Sequence, residues 1–236
     1  MMRFRGALGE AFEAYFIDLL RRMFPTTAQA VVDVRAGLPG CDGVVLVDDS
    51  AIFLELTVSE PSQRLMWSGD ERALRDFVTN RLVGKGKLGQ LAGTIRDYQS
   101  GTLDIANGRP RARRIYPVVV GLTPPPSLYG LDRVIRDTIG KVNPGLAGGS
   151  GDVRPVLFTC AKDWEILESL LADGRIDLPA TLEGWLATRL RSGLGDHLLQ
   201  DRGFAGARNR SLAERWASLS AVLTPRAIDL YGLREE

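Results

Sequence analysis

With 236 residues, 44% of them hydrophobic and 25% charged, the chain can bury one large core or a core with an appendage. Its net charge of +1 gives no bulk argument for nucleic acid, and no apolar run approaches the length of a membrane span. One histidine, His197, and two distant cysteines, Cys41 and Cys160, argue against a structural zinc site or a histidine-based triad. No signal-peptide core follows Met-Met-Arg-Phe-Arg-Gly, so the cytoplasm is the expected compartment.

Phe4, Leu8, Phe12, Tyr15, Leu19 and Met23 recur at helical spacing, which predicts a helix from about Arg5 to Phe24, ended by Pro25. A short strand at Ala30–Val34 and a turn at Gly37–Gly40 lead into the hairpin Cys41–Thr57. Helices are expected at about Asp70–Leu82 and, after the break Gly84-Lys85-Gly86, up to about Tyr98, with Leu88, Leu91, Ala92 and Ile95 inward. A basic loop follows, then the strand Ile115–Leu122, continuously apolar at Val118–Val120 as a strand covered on both faces should be. A helix over about Leu128–Val142, a Gly-rich loop, a strand at Val156–Thr159 and a helix at Lys162–Leu171 come next. The remainder reads as helical, with Pro179 opening a helix that contains Trp185 and another running over Ser211–Leu223 around Trp216. The expected architecture is α/β, a mixed β-sheet flanked by helices, with residues 1–175 as the core and 176–236 as a C-terminal helical extension.

The hairpin is the most informative element. Alternation puts Ile52, Leu54, Leu56 and Val58 on one face, and Ala51, Phe53, Glu55, Thr57 and Ser59 on the other. A two-residue turn at Asp48-Asp49 pairs Val47 with Ser50 and so sets Asp42 opposite Glu55. Opposed Cβ atoms stand about 4.5–5.5 Å apart, close enough for both carboxylates to reach one divalent cation. A one-residue slip would put them on opposite faces. A glutamate inside Ile-Phe-Leu-Glu-Leu-Thr-Val calls for a partner, because an isolated buried charge is costly.

This order of elements, with these acids on it, resembles the PD-(D/E)xK nuclease superfamily, the restriction-endonuclease-like fold, over roughly residues 5 to 172. The opening is most similar to the Mrr-like branch, through Phe12-Glu13, Leu19-Leu20, Cys41-Asp42-Gly43 and Glu55-Leu56-Thr57. The resemblance implies that Asp42 and Glu55 bind Mg²⁺ or Mn²⁺, that the Leu56 carbonyl is a further ligand, and that Glu13, ahead of Glu10, is an auxiliary acid. Where the motif has lysine, this chain has Thr57, which carries no charge. In some members of the superfamily the lysine comes from a following helix. Of only four lysines, Lys85 and Lys87 start the helix after the hairpin. Lys87, Gln90 and Thr94 form a polar stripe beside its buried one, which makes Lys87 the first candidate, Lys85 the second and Gln90 an accompanying polar residue.

The expected function is metal-dependent hydrolysis of DNA phosphodiester bonds, endonuclease-like, in defence against or processing of foreign DNA. Arg109–Arg114 and the tail arginines Arg202, Arg208 and Arg210 would add phosphate contacts. The alternative is a catalytically inactive nuclease-like module that binds DNA or a protein partner, and whether Lys87 or Lys85 points at the two acids separates the two. Assembly with a second copy or a partner subunit is compatible with both. Gly145–Gly151 lacks the Gly-Lys-Ser/Thr ending of a phosphate loop, and Cys41 has no histidine to activate it.

Overall fold

Short apolar strands interrupted by turns, followed by amphipathic helices, build a single mixed sheet in the computed structural model. The structure describes residues 2–24, 30–32, 40–58, 65, 68, 70–82, 87–105, 110–122, 137–141, 143–147, 151–187, 194 and 198. The chain packs as two compact units, Met1–Ala161 and Lys162–Glu236.

In the first unit, α1 (Met2–Met23) precedes β1 (Ala30–Val32), β2 (Gly43–Val47) and β3 (Ser50–Thr57). Next come α2 (Glu71–Phe77), running on into a π-helical turn at Val78–Leu82, then α3 (Lys87–Ser100) and β4 (Arg114–Gly121). The short α4 (Pro144–Ala147) and β5 (Leu157–Cys160) complete it. The strands lie in chain order, β1-β2-β3-β4-β5. The first three are antiparallel, whereas β3 with β4 and β4 with β5 are parallel. The expected mixed α/β sheet flanked by helices is what the chain builds.

The expected helix over 70–82 is α-helical only to Phe77. Asp70 accepts the Ala73 amide at 2.9 Å as its N-cap. Val78, Thr79 and Asn80 then form a run of weak α-helix formers at the point where the helix widens. Of the helix expected at Leu128–Val142, residues 137–141 are described and are helical. The break at 84–86 and the tail helix with Trp216 lie outside the described residues.

Every residue of β3 is buried, so both faces of the hairpin strand are covered. Val44, Leu46, Ala51, Phe53, Ile115 and Val119 form a core with Leu88, Leu91, Ile95 and Tyr98 of α3. Phe53 and Tyr98 meet edge to face, with ring centroids 5.4 Å apart. On the opposite face α1 approaches β2. A Cβ placed on Gly43 would stand 3.7 Å from Leu20 Cδ1, an ordinary packing distance.

In the second unit, α5 (Ala161–Ala172) and α6 (Leu178–Ala187) are joined by a turn with Gly174 at φ 63°. Asp177 caps α6 by accepting the Ala180 amide at 2.7 Å, and Pro179 sits in the first turn, where its missing N–H costs no helix bond. Trp185 is buried.

The turn of the hairpin sets everything downstream. Asp48 takes a left-handed φ of 49°, a conformation Asp tolerates better than most residues, and Val47 pairs with Ser50 as the two-residue turn requires. Arg114 forms an ion pair with the Asp49 side chain, and that partner holds the Asp49 carboxyl below the usual carboxylate range. The Asp49 carbonyl also accepts the Arg113 amide at 2.7 Å, tying the turn to the start of β4. Asp48 is exposed, so its backbone conformation can be tested without disturbing the core. Asp48→Val should cost about 1–2 kcal/mol in urea unfolding, whereas Asp48→Gly should stay within about 0.5 kcal/mol of the parent. Equal losses for both variants would contradict this account of the turn.

Candidate functional site

The pairing of β2 with β3 ends at Gly43↔Leu54, one position short of Asp42 and Glu55. The Asp42 amide donates to the Leu54 carbonyl at 2.9 Å, the residue that Gly43 already faces, so Asp42 leaves the regular ladder while its carboxylate stays close enough for its charge to act on Glu55. The Asp42 Oδ2 oxygen in turn accepts the Leu56 amide at 2.7 Å, which fixes this carboxylate at the end of the hairpin. Glu55 is 1% exposed, on the same face as Phe53 and within the apolar layer under α3. Such a charge needs a partner, and α3 brings one.

Lys87 is the first residue of α3, and Leu88, Leu91 and Ile95 anchor the helix on the sheet. Its Nζ donates to Glu55 Oε1 at 2.6 Å and to the Leu56 carbonyl at 2.5 Å, and lies 3.8 Å from Asp42 Oδ2. The second Glu55 oxygen, Oε2, is buried, with no hydrogen-bond partner among the described residues. Burial chiefly, with the Asp42 charge second, pushes the Glu55 carboxyl up to about 7. Lys87 opposes that rise, and the Glu13 charge on α1 adds to it. The Cys41 thiol, fully buried beside the two acids, is pushed up to about 12 by burial and then by Glu55 and Asp42. It is therefore a packed, protonated thiol at neutral pH and no nucleophile.

The residues singled out by sequence are thus partly gathered. Asp42, Glu55, the Leu56 carbonyl and Lys87 meet directly. Glu13 is half-buried and reaches Glu55 through its charge, whereas Glu10 is exposed. Gln90 is exposed, and its backbone carbonyl accepts the Thr94 hydroxyl at 2.9 Å; no described contact joins its side chain to the acids. Thr57 is buried at the end of β3, with its carbonyl taking the Leu122 amide at 3.1 Å. Lys85, Arg109, His197 and the tail arginines lie outside the described residues.

The described part of the basic loop lies away from the acids. Arg114 pairs with Ser50 across β3 and β4, while Glu55 pairs with Val119, so the loop sits at the opposite end of β3 from the acids. Five residues of strand separate them, roughly 16 Å at about 3.3 Å per residue. Arg114 is bound to Asp49, and Arg111 donates to the Gln99 carbonyl at 2.6 Å. Arg114 thus serves the turn and Arg111 the end of α3.

Thr94 was legible only as part of a polar stripe, yet it is a second tie between α3 and the hairpin. Its Oγ1 accepts the Cys41 amide at 3.1 Å, one residue before Asp42. Gly40 is what allows the approach, because a Cβ there would come within 2.7 Å of that oxygen. A glycine directly before the acid-bearing strand was the available signal.

The donor set suits a hard divalent cation. Two carboxylates and a carbonyl, with one carboxylate oxygen unclaimed, match the habit of Mg²⁺ to use one or two carboxylates and retain waters. Among the described residues no group of three or more His, Cys, Asp or Glu side chains could hold a metal ion, so water and substrate would complete the shell.

Two predictions follow from this geometry. Thr94→Val should destabilise the protein by about 1–3 kcal/mol, by orphaning the Cys41 amide, and Thr94→Ser should recover most of it. For Glu55, the folded-state value of about 7 exceeds the reference carboxylate value of 4.5. Between the two the folded state binds more protons, so its contribution to stability is full below the lower value and is lost as pH rises to the upper. In metal-free protein, the stability of the parent relative to Glu55→Gln should therefore fall across that window and level off above it. A flat difference would show that Glu55 ionises in the fold as it does in the unfolded chain.

No family model matches the sequence, and the search of curated proteins finds no match. Among solved structures, the chain is similar to R.BspD6I2, the small subunit of the heterodimeric restriction endonuclease R.BspD6I, at 15% identity and a TM-score of 0.38. The alignment covers 78% of this chain and 82% of that one. At that score the likeness carries no argument about activity or partners. No helix among the described residues is long and apolar enough to cross a membrane.

Proposed function

We propose that the protein is a metal-dependent nuclease that hydrolyses phosphodiester bonds of DNA, with Asp42, Glu55 and Lys87 as its working residues. The observation that carries this reading is Lys87 Nζ at 2.6 Å from Glu55 Oε1 and 3.8 Å from Asp42 Oδ2. A charge missing at Thr57 is supplied from the following helix to the same pair of acids, as the PD-(D/E)xK resemblance requires.

In this reading Asp42, Glu55 and the Leu56 carbonyl hold Mg²⁺ or Mn²⁺. When bound, the ion neutralises phosphodiester charge and lowers the pKa of a coordinated water. Lys87 stabilises the charge that develops on the phosphate in the transition state. Glu13 adds negative potential at the pair, and Gln90, exposed on α3, is the polar group available to orient a phosphate or a water. The substrate is DNA cut internally, in a setting of defence against or processing of foreign DNA.

The test is nicking of supercoiled plasmid by purified protein with Mg²⁺, Mn²⁺ or EDTA. Metal-dependent cleavage is expected, abolished in Asp42→Ala and Glu55→Ala and reduced about 10²–10³-fold in Lys87→Ala, the usual cost of removing one transition-state donor. Cleavage that survives Lys87→Ala undiminished would remove the lysine from the mechanism. DNA retarded on a gel but never cut would move the reading to a binding module.

A further inference from the structure

Lys87 already occupies the oxygens that a metal would need. Its ammonium has three donors, and two of them are spent on Glu55 Oε1 at 2.6 Å and the Leu56 carbonyl at 2.5 Å. Asp42 Oδ2, at 3.8 Å, completes a set of oxygens around one positive charge. That ammonium offsets what would otherwise be a bare buried carboxylate, so the metal-free chain can close over Glu55.

We infer that Lys87 is an internal competitor for the cation, and that metal binding at Asp42 and Glu55 proceeds by exchange with its ammonium. This rests on the metal-dependent reading above. A divalent ion and an ammonium on the same two oxygens would repel at a few ångströms. The asymmetry of exposure decides which of the resident groups gives way. The Lys87 side chain is 31% exposed, whereas that of Glu55 is 2% exposed. The lysine has solvent to retreat into and the glutamate has none.

The helix itself need not move. Leu88, Leu91 and the Thr94 tie to Cys41 hold α3 on the sheet, so the exchange is carried by the flexible four-carbon stem of the lysine. The consequence is an ordering. Lys87 is freed to face a substrate phosphate only once the cation is in, which couples the availability of the lysine to metal loading.

Calorimetric titration of Mn²⁺ into the full-length protein, without DNA and at about pH 8 to limit proton competition at a carboxylate, reads this directly. Lys87→Met should bind Mn²⁺ about 10–100-fold more tightly than the parent, the equivalent of one charge-assisted hydrogen bond no longer displaced. Lys87→Arg, which keeps the charge, should show no such gain. Lys87→Gln serves as a second neutral variant should the methionine substitution fail to fold, judged by circular dichroism. Parent-like or weaker binding by a folded neutral variant would overturn the exchange while leaving the metal site standing. Absence of Mn²⁺ binding by the parent and every variant would overturn the metal site, and the exchange with it.

Discussion

One carboxylate governs the design of this domain. Glu55 lies in a strand buried on both faces, and its charge can stay there only if something opposite comes to meet it. Lys87 does so from the first residue of α3, and the same ammonium takes up the Leu56 carbonyl at the end of the strand. The ion pair thus fixes where the helix begins relative to the hairpin. Even with it in place, burial and the charges of Asp42 and Glu13 keep the Glu55 carboxyl near neutrality. The site is poised to accept more positive charge than one lysine provides.

The rest of the core supports that pair. The Asp48-Asp49 turn sets a register that runs to Gly43↔Leu54 and leaves Asp42 and Glu55 next in line at its end, and a slip of one residue would turn Glu55 to the other face. Arg114 and the Asp49 carbonyl lock that turn to β4, while Thr94 secures the other end of β2 through the Cys41 amide. Leu88, Leu91, Ile95 and Tyr98 press α3 against Phe53 and Val44, so the lysine arrives from a rigid element. Both acids stand toward the carboxyl end of β3, the end at which parallel sheets commonly present their chemistry.

Much of this could be read from the residues alone, for identifiable reasons. Period-two alternation and a two-residue turn were enough to give the register from Val47↔Ser50 to Gly43↔Leu54, because strand geometry leaves a single register once the turn is chosen, but not the departure of Asp42 from the ladder just beyond it. Lys87 was legible through the resemblance, which implies a lysine from a following helix where the motif position holds Thr57, and through its place on the polar stripe, with Lys85 as the second candidate. Three-dimensional neighbours across the sheet were not legible. That Arg114 starts β4 at the far end of β3 from the acids follows from the parallel pairing of β3 with β4, which the residues themselves do not announce. The tie between Thr94 and Cys41 joins residues 53 positions apart, and no local pattern announces it beyond the glycine at position 40.

The most direct measurement is an anomalous diffraction map of a crystal grown or soaked with Mn²⁺. The account predicts a peak bounded by Asp42, Glu55 and the Leu56 carbonyl, with the Lys87 ammonium displaced from Glu55 Oε1. Mn²⁺ bound elsewhere, or the ion pair of Lys87 and Glu55 intact with no metal beside it at saturating Mn²⁺, would contradict it.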